Sequence, residues 1–179
     1  YTHLDYGYGM RVTRNMLRDD MYGTMESLAE ELARSARASE ETLLANHFNN
    51  GFSSTYTGAD GLELFSTAHV REDGSTYANE LTNGADLSQT SLEQAVIDFS
   101  DFRDGGGKRI ALEPKFLVIP KELRFVSTRL LKSKLAPEDD TNAVNPLNDE
   151  LQALIWNYLT DTDAWFLTAA KSDHKLTLY

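Results

Sequence analysis

The chain has 179 residues, 41% hydrophobic and 25% charged, enough for one large lobe or two small ones with a genuine apolar core, which excludes disordered and fibrous classes. Seventeen basic residues against 28 acidic ones give a net charge of -11 with no long charged tail, so a phosphate-binding surface is not expected to dominate the function. Cysteine is absent, which removes disulfides, thiolate metal sites and a cysteine nucleophile, and no apolar run nears the roughly 20 residues that span a bilayer.

Taken in chain order, Tyr6, Tyr8, Met10 and Val12 fall on one side at period two, which predicts a strand over residues 1–12. Gly7 and Gly9 leave its other face bare. Arg14 to Asp20 reads as a short polar helix or turn, with Asp19 and Asp20 as a helix start where negative charge meets the amide dipole. Met25, Leu28, Leu32, Ala36, Leu43, Leu44 and Phe48 then recur at helical spacing and predict a long helix from about Tyr22 to Phe52, roughly 45 Å at 1.5 Å per residue. Its polar face carries Glu30 and Arg34, a favourable i,i+4 pair.

Between Ser53 and Gly84 the pattern breaks into turns at Thr57-Gly58, Asp60-Gly61, Asp73-Gly74 and Asn83-Gly84, with Leu62 to Thr67 as a strand-like piece. Asp86 or Ser88 caps a helix whose apolar side is Leu92, Val96, Phe99 and Phe102, and Asp104 with Gly105 to Gly107 ends it. Phe116 to Ile119 is an apolar run bounded by Pro114 and Pro120, the pattern of a short strand buried on both faces. Pro120 opens a helix running to about Ser133, Ala136 to Asp149 reads as an exposed loop, and Leu151–Leu159, Ala164–Thr168 and Lys175–Tyr179 read as strands. Helices and strands mixed in this order give an α+β or α/β lobe.

Several groups of residues suggest chemistry, and each has a plainer account. His69 lies near Asp60, Glu72 and Asp73 in sequence, but His3, His47, His69 and His174 are scattered without HExxH-like spacing, so a structural hydrogen bond in a turn is the expectation. Gly105-Gly106-Gly107 follows a helix, whereas phosphate loops precede one. Asp161 and Asp163 could pair as acid and base, yet a tight turn before the strand at Ala164 explains them. Asp139-Asp140 reads as a solvated loop tip. Trp156, Trp165 and Phe166 read as core or interface anchors. No GxSxG elbow surrounds Ser66, and no catalytic, cofactor-binding or metal-binding residue is assigned.

Two blocks remain: residues 49–88, and Tyr158 to Leu167. Phe52, the Thr57-Gly58-Ala59-Asp60-Gly61 turn, Leu64-Phe65-Ser66-Thr67-Ala68-His69, Asn79, Ala85-Asp86-Leu87-Ser88, and Leu159-Thr160-Asp161 followed by Ala164-Trp165-Phe166 together resemble the major head subunit of Mu-like tailed phages. The resemblance implies an α+β fold of the Hong-Kong-97 capsid type, with a long spine helix in a peripheral domain and a mixed axial domain. Residues 1–56 correspond to the peripheral part and 57–179 mainly to the axial lobe, including a return to the peripheral sheet, in a chain expected to be truncated at both ends. The implied role is a non-enzymatic, self-assembling subunit of an icosahedral shell around phage DNA, in the virion, with assembly in the bacterial host cytoplasm. The implied partners are further copies in pentamers and hexamers, with portal, scaffold or protease, and decoration proteins. DNA is a neighbour by non-specific proximity only; no membrane and no cofactor is implied. The alternatives are an encapsulin-like compartment, or an unrelated enzyme or ligand-binding domain using the acidic turns at Asp60, Asp73, Asp161 and Asp163.

Overall fold

The computed structural model describes residues 6–19, 23–136 and 143–170. Contacts divide the chain into two units, residues 1–45 and 46–179. In the first unit, Thr13 caps α1 (Arg14–Arg18) by accepting from the Met16 amide at 3.3 Å. Asp19 closes the carboxyl end of that helix and does not start one; Asp20 lies outside the described residues. Residues 6–12 are exposed and make no strand, because period-two alternation gives a strand only where another strand offers its edge. Tyr1 to Asp5 of that expected strand lie outside the described residues. The Tyr8 hydroxyl hydrogen-bonds to Ser39 Oγ on the next helix.

That helix, α2 (Thr24–Asn49), has the predicted length to within three residues at its carboxyl end. Its apolar stripe is shallower than the spacing suggests. Met25, Leu28 and Leu32 are half-buried, and Ala45 is the one fully buried residue. Glu30 and Arg34 pair at 2.9 Å on its exposed face, an interaction that solvent screening makes worth little.

The second unit is built around a three-stranded sheet, order β4-β3-β5, where β3 is Pro114–Ile119, β4 is Gln152–Ile155 and β5 is Phe166–Ala169. The central strand is the Phe-Leu-Val-Ile run predicted between two prolines. It pairs parallel with β4, Leu117 beside Ala153, and antiparallel with β5, Val118 beside Phe166. Between β3 and β4 the chain makes a single turn, Lys121–Leu123, then α4 (Arg124–Lys132), as a parallel connection requires. The helix α3 (Gln89–Ser100) also packs on β3.

Alternation along β3 divides the apolar residues between two faces. Leu117 and Ile119, both fully buried, join Leu92 of α3 and Leu130 and Leu131 of α4, with Leu147 and Leu151 closing the cluster. Val118 faces the other way with Phe166. Phe166 stacks on Phe65 at 5.1 Å and meets Phe48 edge-on at 5.1 Å, while Trp156 meets Phe48 at 5.5 Å.

Ser88 is the cap of α3: its side chain accepts from the Ser91 amide, and the Ser91 hydroxyl accepts from the Ser88 amide at 2.9 Å. Leu62 to Thr67 is irregular and not a strand; the paired segment in that region is a short hairpin of β1 (His69–Val70) and β2 (Thr76–Tyr77), turning at Asp73-Gly74 as expected. Gly105 to Gly107 is no loose helix end. Asp104 Oδ1 accepts from the Gly106 and Lys108 amides at 3.0 and 2.8 Å, and the Asp104 amide donates to the Lys108 carbonyl at 2.8 Å, closing a tight turn. Residues 137–142, with Asp139-Asp140, and the expected strand at Lys175–Tyr179 lie outside the described residues. Among the described residues no helix is long and apolar enough to cross a membrane.

Candidate functional site

The turns that carried the sequence motifs are fixed by side chains standing in for backbone partners. In the Thr57 to Gly61 turn the Gly58 amide donates to the Leu62 carbonyl at 2.7 Å, and Gly61 takes φ +80, a conformation open to glycine at no steric cost. Asp60 uses both carboxylate oxygens. One accepts from the Leu62 amide at 3.3 Å; the other lies 2.6 Å from Nδ1 of the buried His69 ring. His69 Nε2 is 3.2 Å from the Leu64 carbonyl, and the ring stacks on Tyr77 at 5.2 Å. The hydrogen bond from His69, reinforced by the Leu62 amide, holds the Asp60 carboxyl below its usual pKa.

Asn79 does the work of a strand. Its Nδ2 donates to the Leu64 carbonyl at 2.7 Å, its Oδ1 accepts from the Ser66 amide at 2.8 Å, and its own amide donates to the Ser66 carbonyl at 3.1 Å. Ser66 is buried beneath these bonds, and its Oγ accepts from the Ala68 amide at 3.4 Å. Of the acidic residues near His69 in sequence, Asp60 touches it, in keeping with the structural hydrogen bond expected there, whereas Glu72 and Asp73 face the Gly105 to Gly107 turn. Asp73 accepts from both the Ser75 hydroxyl and amide, which lowers its pKa. Among the described residues no group of three or more metal-ligating side chains is disposed to hold an ion.

Asp161 and Asp163 do approach each other. They sit in an exposed turn before β5, and the hydrogen bond and charge of Asp161 raise the Asp163 pKa, with Asp86 adding to the repulsion. Trp165 packs on the core and its Nε1 donates to the Ala85 carbonyl at 3.0 Å, which makes it an anchor of the packing.

Two asparagines that sequence reasoning passed over matter as much. Asn49, at the end of α2, donates to the Tyr158 carbonyl at 3.1 Å and accepts from the Thr160 amide at 3.0 Å, joining residues 109 and more positions apart in sequence. Asn145, buried, donates to the Leu130 and Ser133 carbonyls at 2.6 and 2.9 Å and so satisfies the carboxyl end of α4. Neither lies in a short-range pattern that would have flagged it. Gly51 belongs with them: a Cβ there would lie 2.5 Å from the Phe65 ring.

The surface is apolar in many places. Val70, Ile97, Phe125, Val144 and Leu154 are exposed on different elements. Such an arrangement can bury area against neighbours.

The profile of the phage capsid protein family matches residues 1–178. A search of curated proteins finds no significant match. Among solved structures, the fold is similar to the bacteriophage JBD30 capsid, with TM-score 0.64, 16% identity, 89% of this chain and 83% of that chain covered. It is also similar to the JBD30 capsid decorated with minor capsid protein trimers, with TM-score 0.60, 18% identity, 83% of this chain and 72% of that one. A mixed α+β chain whose fold resembles a phage capsid subunit and whose sequence fits that profile almost end to end belongs to the phage capsid protein family, and it is a major capsid subunit, a structural protein of the bacteriophage head.

Proposed function

We propose that the chain is the self-assembling head subunit of a Mu-like tailed phage, with a Hong-Kong-97-type fold, and that copies of it close an icosahedral shell around the phage DNA through pentamers and hexamers. In this reading residues 1–56 belong to a peripheral domain with α2 as its spine, and 57–179 form mainly the axial lobe. The observation that carries it is the spread of exposed apolar side chains over β1, α3, α4, β4 and the segment at Val144. A shell subunit meets several neighbours at once, and each contact is modest, so its apolar surface is divided and not gathered into one pocket.

The subunit is not an enzyme; the polar groups around Asp60 and His69 are saturated by structural hydrogen bonds, which supports that statement. The excess of acidic residues keeps packaged DNA a neighbour and not a ligand. Assembly takes place in the host cytoplasm, and portal, scaffold or protease, and decoration proteins join the shell there. An encapsulin-like compartment is the second architecture of this kind, and the phage family match favours the virion.

Negative-stain microscopy of the full-length subunit tests the reading. Closed particles of uniform diameter are expected. A protein that stays monomeric in every buffer overturns it, and particles holding a cargo enzyme in place of DNA point to the compartment. Retention on DNA should be weak and vanish by physiological salt.

A further inference from the structure

The outer face of α4 is basic in a chain that is acidic overall. Lys121, Phe125 and Arg129 fall at i, i+4 and i+8 along the turn Lys121–Leu123 and the helix, with Arg124 beside them. Residues 121–134 hold five basic side chains against one acidic, in a chain with 17 basic and 28 acidic overall. Phe125 in the middle of this basic stripe is 75% exposed, on a helix whose inner side buries Ser127, Leu130 and Leu131 completely.

We propose that this stripe, Phe125 flanked by Lys121, Arg124 and Arg129, is a docking surface for a second copy of the chain, which presents its exposed Asp161–Asp163 turn to it. The proposal rests on the shell reading above and specifies one of its contacts.

Charge complementarity singles out the occupant. Arg124 and Arg129 have no carboxylate partner among the described residues, whereas Lys132 is spent on Asp149 and Lys121 keeps only a long 3.7 Å contact to Glu122. On the other side, Asp161 and Asp163 have no basic partner among the described residues, and their mutual repulsion is relieved by a guanidinium brought between them. Among the described residues of one subunit no ion pair joins the two surfaces, so pairing them calls for another copy. A stripe that meets a different surface on its partner is a heterologous contact, the kind that rings need. A nucleic acid is the poorer occupant: phosphate would use the arginines but leave the Phe125 ring without an apolar partner, and a chain of net charge -11 repels a polyanion overall. A protein neighbour satisfies both, since an aromatic anchor with arginines around it is the composition of an interface centre.

The test uses the full-length subunit and counts shells by microscopy and sedimentation, with a thermal melt to confirm folding. Arg124→Glu with Arg129→Glu should cut shell yield at least tenfold with the melt unchanged, because both side chains are exposed. Asp161→Lys with Asp163→Lys should do the same, and the four changes together should restore shells. Phe125→Ser alone should lower the yield less. Shells at the original yield in either charge-reversed variant overturn the contact while leaving the shell reading intact, and so does failure of the fourfold variant to recover although it melts normally. Intact shells that lose only their DNA would assign the stripe to nucleic acid and overturn it too. Failure of the unaltered subunit to form particles sinks the shell reading, and this contact with it.

Discussion

Two regions of the second unit solve the same problem in different ways. Around β3 the backbone pairs with two strands and is covered by leucines; in residues 50–86 there is little ladder and the chain is pinned by Asn79, Asp60 and His69. Burial asks only for apolar side chains of the right volume, so many residues can serve. A side chain that replaces a strand's hydrogen bonds must have one donor and one acceptor at one reach, so few can. The longer of the two recognisable sequence blocks, residues 49–88, therefore lies mostly in the region with the smaller core.

The sharpest way to break this comparison is in the leucine cluster. Leu92→Ala should cost about 2–5 kcal/mol, lowering the urea midpoint for the whole second unit, since Leu92 is fully buried at the centre of the cluster. Asn145→Ala should cost about 1–3 kcal/mol by stranding the buried carbonyls at the end of α4, measured in the same denaturation experiment. Gly51→Ala, pressing a methyl into the Phe65 ring, should cost a similar 1–3 kcal/mol or so, and replacing Phe65 with a smaller residue in the same chain should recover part of it.

Asn79→Ala sharpens the comparison: it should speed amide exchange at Ser66 while leaving the amides of β3 nearly as protected as before. Uniform loss of protection would mean the two regions unfold as one.

The smallest effects are in acid. Asp60 and Asp73 have lowered pKa values, so the stability they contribute is present above the ordinary carboxylate value of 3.8 and is lost as pH falls through their native values. Asp163 runs the other way: its raised pKa means its charge is a burden on the fold at neutral pH, which disappears on protonation. Asp163→Asn should raise the melting temperature slightly at pH 7 and leave it unchanged well below pH 3.8, whereas Asp60→Asn should lower it at pH 7 and matter less in acid.

Legibility followed the range of the interactions. The long helix, the strand between Pro114 and Pro120, the helix after Pro120 and the Ser88 cap all rest on neighbours within one or two turns, and all were readable. The strand expected at Tyr6 to Val12 was misread because alternation describes a face and not the edge it must pair with. Leu62 to Thr67 was misread for a related reason: its partner is the side chain of Asn79, 13 residues from Ser66, and not a second strand. His69 makes the structural hydrogen bond expected of it, to Asp60, but from strand β1 and not from a turn, while the bonds of Asn49 to Tyr158 and Thr160 depend on where the chain returns after more than a hundred residues. The glycine run was misread as the end of a helix: α3 stops at Ser100 with Asp101 as its cap, and the run belongs to a separate turn shaped by the Asp104 carboxylate.

The sheet's last strand has a consequence for synthesis. β5 emerges from the ribosome some 45 residues after β3, and until it docks, the side of β3 opposite β4 is an open row of amides and carbonyls flanked by Phe116 and Val118. A nascent or prematurely stopped chain therefore exposes a sticky edge that a completed one does not. Translation itself sets the moment at which that edge is covered.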